Sequence, residues 1–249
     1  MPSANLAAIG CWAAALGECS KKISGEHLIS KSLFDDDAVI VQGFTWCLEQ
    51  PKTIGLSSLV GNILCRKHNS DLSCLDSVAL ETFNAFRESV KITNARKGLN
   101  TKSWTLKRFV VNGASLERWF LKTLINLSFG GEWIIGMGSH PKGTPSKDLV
   151  ETAFGLREFR DGSGLYLAGQ SGDQIDSRDG ITFTPKTSGR NLVVGAFQFR
   201  GFKFYLNLQA QKFDADGQIP LLYRDSQMKF QVPNSRGRQL LSHEIKFKW

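Results

Sequence analysis

The sequence predicts an α+β fold in two parts, a helix-bearing N-terminal unit over residues 1–92 and a mixed, β-rich C-terminal domain with one main helix over 105–249. Three observations carry that prediction. Leu72, Leu75, Val78, Ala79, Phe83 and Phe86 recur at spacings of three and four, the pattern of a helix with one buried face. Between Ala196 and Leu206, aromatic residues alternate with polar ones on both sides of Arg200-Gly201, the pattern of a hairpin with one buried face. The stretch between them, Lys91 to Lys102, is polar and broken by Gly98 and Asn100, which marks a linker over 93–104.

Taken in order, the chain opens with a Cys-bearing loop and a short β segment around Glu26 to Phe34. A variable excursion from Asp35 to Ser58 follows. Asn62-Ile63-Leu64-Cys65 then leads into the helix, which is expected to end near Val90. Beyond the linker, Lys107 to Val111 reads as a strand. Asn112-Gly113 makes a turn, and a helix capped by Ser115 runs from Leu116 to about Phe129, with Trp119, Phe120, Leu124 and Leu127 on its apolar face. The rest reads as strands at Trp133-Ile-Ile, Leu165-Tyr-Leu, Ile181-Thr-Phe-Thr, Leu192 to Leu208 and Glu244 to Trp249.

The 249 residues carry a net charge of +8, and the charge is unevenly placed. Residues 1–100 hold 10 Lys/Arg and 10 Asp/Glu, and the remainder holds 21 and 13. A basic C-terminal part favours a polyanionic partner. All five cysteines, Cys11, Cys19, Cys47, Cys65 and Cys74, fall in the first part with His27 and His68. That clustering favours metal ligation or free thiols in a reducing compartment. The composition excludes disorder, collagen and coiled coil, and no apolar run is long enough to span a membrane. Leu6 to Leu16 has the texture of a signal core, but no Lys or Arg precedes it, so a cytoplasmic location is expected.

Chemistry concentrates in Glu26-His27-Leu28-Ile29 and, after a gap, Asn62-Ile63-Leu64-Cys65-Arg66-Lys67-His68-Asn69. An acidic residue before a His on a short strand, then Asn-Ile-Leu-Cys-x-x-His-Asn leading into a helix, resembles the HNH (ββα-metal) nuclease family over about residues 11–90. The resemblance implies a ββα-metal unit that hydrolyses phosphodiester bonds of DNA. In it His27 would be the general base, Asn62 the residue orienting it, and Glu26 and Asn69 the ligands of one Mg²⁺ or Mn²⁺. The chemistry suits the residue types: imidazole accepts a proton near neutral pH, and these ions prefer carboxylate and amide oxygens.

The same resemblance implies a structural zinc held by two Cys pairs. Cys65-x-x-His68 stands for the second pair. For the first, Cys19 lacks a Cys-x-x-Cys partner because position 16 is Leu, so Cys11 is the best substitute and Cys47 the other candidate. Whether His68 or Asn69 faces the catalytic ion stays open at this level. Arg66 and Lys67 are candidate phosphate contacts between the two metal sets. Cys47 and Cys74 are otherwise assigned to packing.

Other patterns carry less. Gly136 to Gly143 lacks the ending of a phosphate loop, and Asp173, Asp176 and Asp179 lack calcium-loop spacing. The expected partner is DNA, with RNA not excluded, in a setting such as phage defence or restriction. The C-terminal domain would hold the substrate, a protein partner or a second copy. The alternative reading is a zinc-stapled nucleic-acid or protein-binding module without catalysis, serving a larger assembly.

Overall fold

The computed structural model describes residues 10–43, 47, 49–169, 180–199, 201–210 and 221–249. It is a mixed α+β structure. β1 (Ile23–His27) pairs antiparallel with β4 (Val60–Cys65), and α1 (Arg66–Arg96) starts at the next residue. Between these two strands the chain forms a second hairpin, β2 (Ala38–Gln42) with β3 (Lys52–Gly55).

That hairpin belongs to the largest sheet. β2 runs parallel to β8 (Gly180–Ser188), which pairs with β9 (Asn191–Phe199). β9 pairs in turn with β10 (Phe202–Asn207), β10 with β7 (Gly164–Ala168), and β7 with β11 (Leu221–Tyr223). A short β6 (Ile134–Ile135) joins β9 from the side. The eight-stranded sheet thus draws strands from both sides of the expected 93–104 linker. Helix α1 also runs on to Arg96 rather than stopping near Val90, since nothing before Gly98 breaks it. A separate three-stranded sheet has the order β12 (Gln227–Pro233), β13 (Gln239–Lys248), β5 (Lys107–Asn112), with β13 and β5 parallel.

The core lies where α1 and α2 (Gly113–Ser128) cover the eight-stranded sheet. Phe83 meets Phe199 with ring centroids 4.4 Å apart, Phe86 stacks on Phe202 at 4.3 Å, and Phe120 meets Phe204 at 5.0 Å. Gly195 lets α2 approach closely, because a Cβ there would meet Leu124 Cδ1 at 2.7 Å. The expected strands at Trp133-Ile-Ile, 165–167, 181–184, 192–208 and 244–249 all contain observed strands. The Asp173, Asp176 and Asp179 pattern lies outside the described residues. Asn112, not Ser115, caps α2, its side chain accepting from the Ser115 amide at 2.9 Å.

Helix α2 is buried nearly all round, which forces its polar side chains to find partners. Glu117 is held by Arg224 at 2.9 Å and by the Leu165 amide at 2.6 Å. Asn126 accepts from Trp12 Nε1 at 2.9 Å. Lys122 reaches into the N-terminal unit, as described below. Among the described residues no helix is long and apolar enough to cross a membrane.

Candidate metal centre

Three pieces of chain bring Cys11, Cys19, Cys65 and His68 together. The loop before β1 is pinned to β4 by the Trp12 amide, which donates to the Ile63 carbonyl at 3.0 Å, and this sets Cys11 beside the end of that strand. Cys65 ends β4 at the N-cap of α1, and His68 follows in the first turn on the same side. Cys19 closes the set from the segment just before β1. His68 Nδ1 lies 3.3 Å from Cys11 Sγ, 3.3 Å from Cys65 Sγ and 3.6 Å from Cys19 Sγ. All four donor atoms fall within 4.8 Å of one another.

These separations fit a metal. A tetrahedral zinc with bonds of about 2.3 Å to sulfur and about 2.0 Å to nitrogen holds sulfur and nitrogen about 3.5 Å apart. Three of the four groups are buried, and the His68 ring packs edge-on against Phe154 at 5.4 Å. Burial pushes the Cys11 thiol up to about 12 and also raises Cys19, so without a cation both stay protonated. At Cys65 burial acts the same way, but hydrogen bonding from the His68 amide and from Ser20 outweighs it and brings the thiol down to about 7. Burial, and then the charge of Lys67, lowers His68, which keeps its imidazole neutral and able to ligate. The Cys11/Cys19/Cys65/His68 group can therefore hold a metal, and its donor set suits zinc.

Cys47 is buried elsewhere with its thiol 3.8 Å from the Val41 carbonyl, so Cys11 completes the set. His68 faces the sulfurs, whereas Asn69 faces β1 and donates to Ser24 Oγ at 2.9 Å. Cys74, expected in the packing, is exposed because its position on α1 turns away from the Leu72 and Leu75 face.

The residues expected to cut are arranged differently from the zinc set. His27 ends β1 opposite Val60, is half-buried, and has no side-chain hydrogen bond among the described residues. Asn62 is exposed at a β-bulge opposite Gly25, with no side-chain bond to His27. Glu26 is only 6% exposed, and its Oε1 pairs with Lys122 Nζ at 2.7 Å. Lys122 itself is 2% exposed and also holds Asp76 at 2.8 and 3.0 Å. Ser30 donates to Asp76, and Trp119 Nε1 donates to Ser30 Oγ at 2.9 Å.

Glu26 thus already has a cation, and it comes from the other half of the chain. What stays open are two oxygens, Glu26 Oε2 and Asn69 Oδ1, which accept no hydrogen bond among the described residues. Lys67 is exposed and engaged by Asp71 at 2.8 Å and Glu18 at 3.6 Å, and Arg66 is exposed beside it. Sequence reasoning missed Lys122, Asp76 and Ser30. The one available signal was a Lys inside the apolar run Trp119 to Leu124. Compared with known proteins, the chain matches no family model, no curated protein and no solved structure.

Proposed function

We propose that the N-terminal unit is a zinc-stapled ββα module that hydrolyses phosphodiester bonds of DNA, with His27 as the base. The observation that carries this reading is the convergence of Cys11, Cys19, Cys65 and His68. It ties β1, β4 and the start of α1 into one rigid piece and leaves the His27 imidazole half-exposed at a strand end, without a partner. A ring nitrogen without a partner is placed to accept a proton from water. Glu26 Oε2 and Asn69 Oδ1 are the oxygens that would hold a divalent ion, oriented by Lys122 and Ser24 behind them. The chemistry such an ion supplies when bound is Lewis-acid stabilisation of charge on the phosphate. Arg66 and Lys67, exposed at the start of α1, would meet the phosphate backbone.

The test uses the zinc-loaded full chain with supercoiled plasmid and Mg²⁺ or Mn²⁺. The wild type is expected to nick the plasmid, and His27→Ala to slow cleavage by about 100-fold or more. Equal cleavage by both proteins would remove His27 from the mechanism.

A second reading, a module without catalysis, is favoured by one observation. Lys122 already neutralises Glu26 and Asp76, so a divalent ion would sit beside a buried ammonium. Zinc present at full occupancy with no cleavage under any divalent ion decides for this second reading.

A further inference from the structure

We propose that the three-stranded sheet β12–β13–β5, with the two loops at its end, is a docking surface for the phosphate backbone of duplex DNA. The inference deepens the nucleic-acid reading above and rests on it, but it does not require His27 to cut. Its basis is where the charge sits once the chain is folded. Residues 88–116 and 227–249 build this sheet and the end of α1. They contain eleven Lys and Arg against Glu88 and Glu244 alone, nine positive charges net, while the whole chain carries eight. The remaining residues are therefore slightly acidic. The basic character assigned to a broad C-terminal part belongs to one structural unit.

The fold gathers most of these charges onto one surface. Lys229, Glu244 and Arg108 stand abreast across the three strands, and Gln227, Lys246 and Val110 form the next row but one, with Lys248 opposite Asn112 beyond it. Same-face neighbours are about 7 Å apart along a strand and about 5 Å apart across strands, close enough to meet successive phosphates. The opposite face, with Ile245 and Phe247, is buried, so the basic face is the one left to solvent. Glu244 does not cancel this charge. Its buried carboxylate holds Arg108 at 2.7 Å and Lys246 at 3.6 Å, fixing two cations in place.

The loops extend the surface. The segment after α1 is tied to the β12–β13 turn: the Gly98 amide donates to the Pro233 carbonyl at 2.9 Å, Ser235 to Leu99 at 3.0 Å, and Asn234 Nδ2 to Thr101 at 2.8 Å. Exposed Lys97, Lys102, Arg236 and Arg238 therefore share one end of the sheet. Among the described residues none of these four, nor Lys229 or Lys248, makes an ion pair. Clustered cations without counter-charges repel one another, and a polyanion relieves that repulsion while releasing its own counterions.

The test measures anisotropy of a labelled DNA duplex with His27→Ala protein, without added divalent ion, so that binding is read apart from cleavage. Replacing Lys229, Arg236, Arg238 and Lys248 by Gln together is expected to weaken binding about 10-fold or more near 100 mM KCl. It should also flatten the slope of log affinity against log salt by about 3. A control set with the same loss of charge, Lys31, Lys142, Lys147 and Arg190 to Gln, should stay within about twofold. Equal loss by both sets, no measurable binding by the parent protein, or polyglutamate bound as tightly as DNA would each overturn the proposal. Salt-dependent binding by this surface, with no plasmid cleavage by the wild type, would sink only the nuclease reading.

Discussion

Two polar clusters flank β1, and they solve the problem of buried ionisable groups in opposite ways. The cluster of Cys11, Cys19, Cys65 and His68 holds four ligand atoms facing one another, with no cation of the protein's own among them. The cluster of Glu26 and Asp76 has its cation built in, because Lys122 of α2 reaches both carboxylates within 3.0 Å. Burial keeps Cys11 and Cys19 as thiols unless a metal is bound. A carboxylate pair with an ammonium between its members is complete without one. The difference shows that similarity in ligand chemistry does not equal similarity in metal demand: what decides is whether the fold already supplies the counter-charge.

The largest effect should come from emptying the first cluster. Purified protein is expected to contain one zinc per chain. A strong chelator, or Cys65→Ser, should lower the thermal midpoint by roughly 15 °C or more, because zinc bound by such a set contributes folding free energy directly. Equal stability with and without metal would erase the contrast. The second cluster should answer to its lysine instead. Lys122→Met leaves the buried Glu26 and the part-buried Asp76 without their cation and should cost about 3–5 kcal/mol in denaturant unfolding. Combining it with Glu26→Gln and Asp76→Asn should recover most of that loss. If Mn²⁺ raises the midpoint of Lys122→Met far more than that of the wild type, the carboxylates can take a divalent ion and the two clusters differ less than their geometry suggests.

A smaller effect concerns acid unfolding. His243 is fully buried, stacked on Phe230 at 4.5 Å, and burial, with the nearby Arg96 and Lys107 charges, lowers its imidazole to about 4. In the unfolded chain a histidine titrates near 6.5, so on acidification the unfolded state takes the proton first. Stability from this residue is complete above pH 6.5 and is lost progressively down to about pH 4, by about 3 kcal/mol at most. His243→Gln should flatten the dependence of unfolding free energy on pH in that window.

The part of this arrangement legible in the sequence is the part set by local spacing. Cys65-x-x-His68 at a strand-to-helix junction fixes two ligands by helix geometry alone, and the aromatic alternation around Arg200-Gly201 fixes the β9–β10 pairing. Cys11 was reachable only as a substitute, because a loop rather than a tight turn brings it to β4. Lys122 was not reachable at all. It sits 96 positions from Glu26, and its burial follows from α2 being wrapped on every side, which no period in the helix itself announces. The same holds for β2, whose Val39 and Val41 read as part of a variable excursion yet are buried in a sheet completed by residues far downstream.

That pairing of β2 with β8 orders events during synthesis. The four candidate metal ligands span 57 positions, from Cys11 to His68, and all four leave the ribosome early, so the first cluster can close as soon as α1 begins. Ile40, however, pairs with Gly180, and until β8 emerges the β2–β3 hairpin keeps an open edge with no neighbour. At usual translation speeds of about 5–20 residues per second, that wait lasts on the order of ten seconds. During it, the hairpin is looped out between β1 and β4, the two strands that a metal at the Cys11/Cys19/Cys65/His68 group would tie together. A metal bound there would limit how far that hairpin can wander and would keep β2 near the place where its partner arrives.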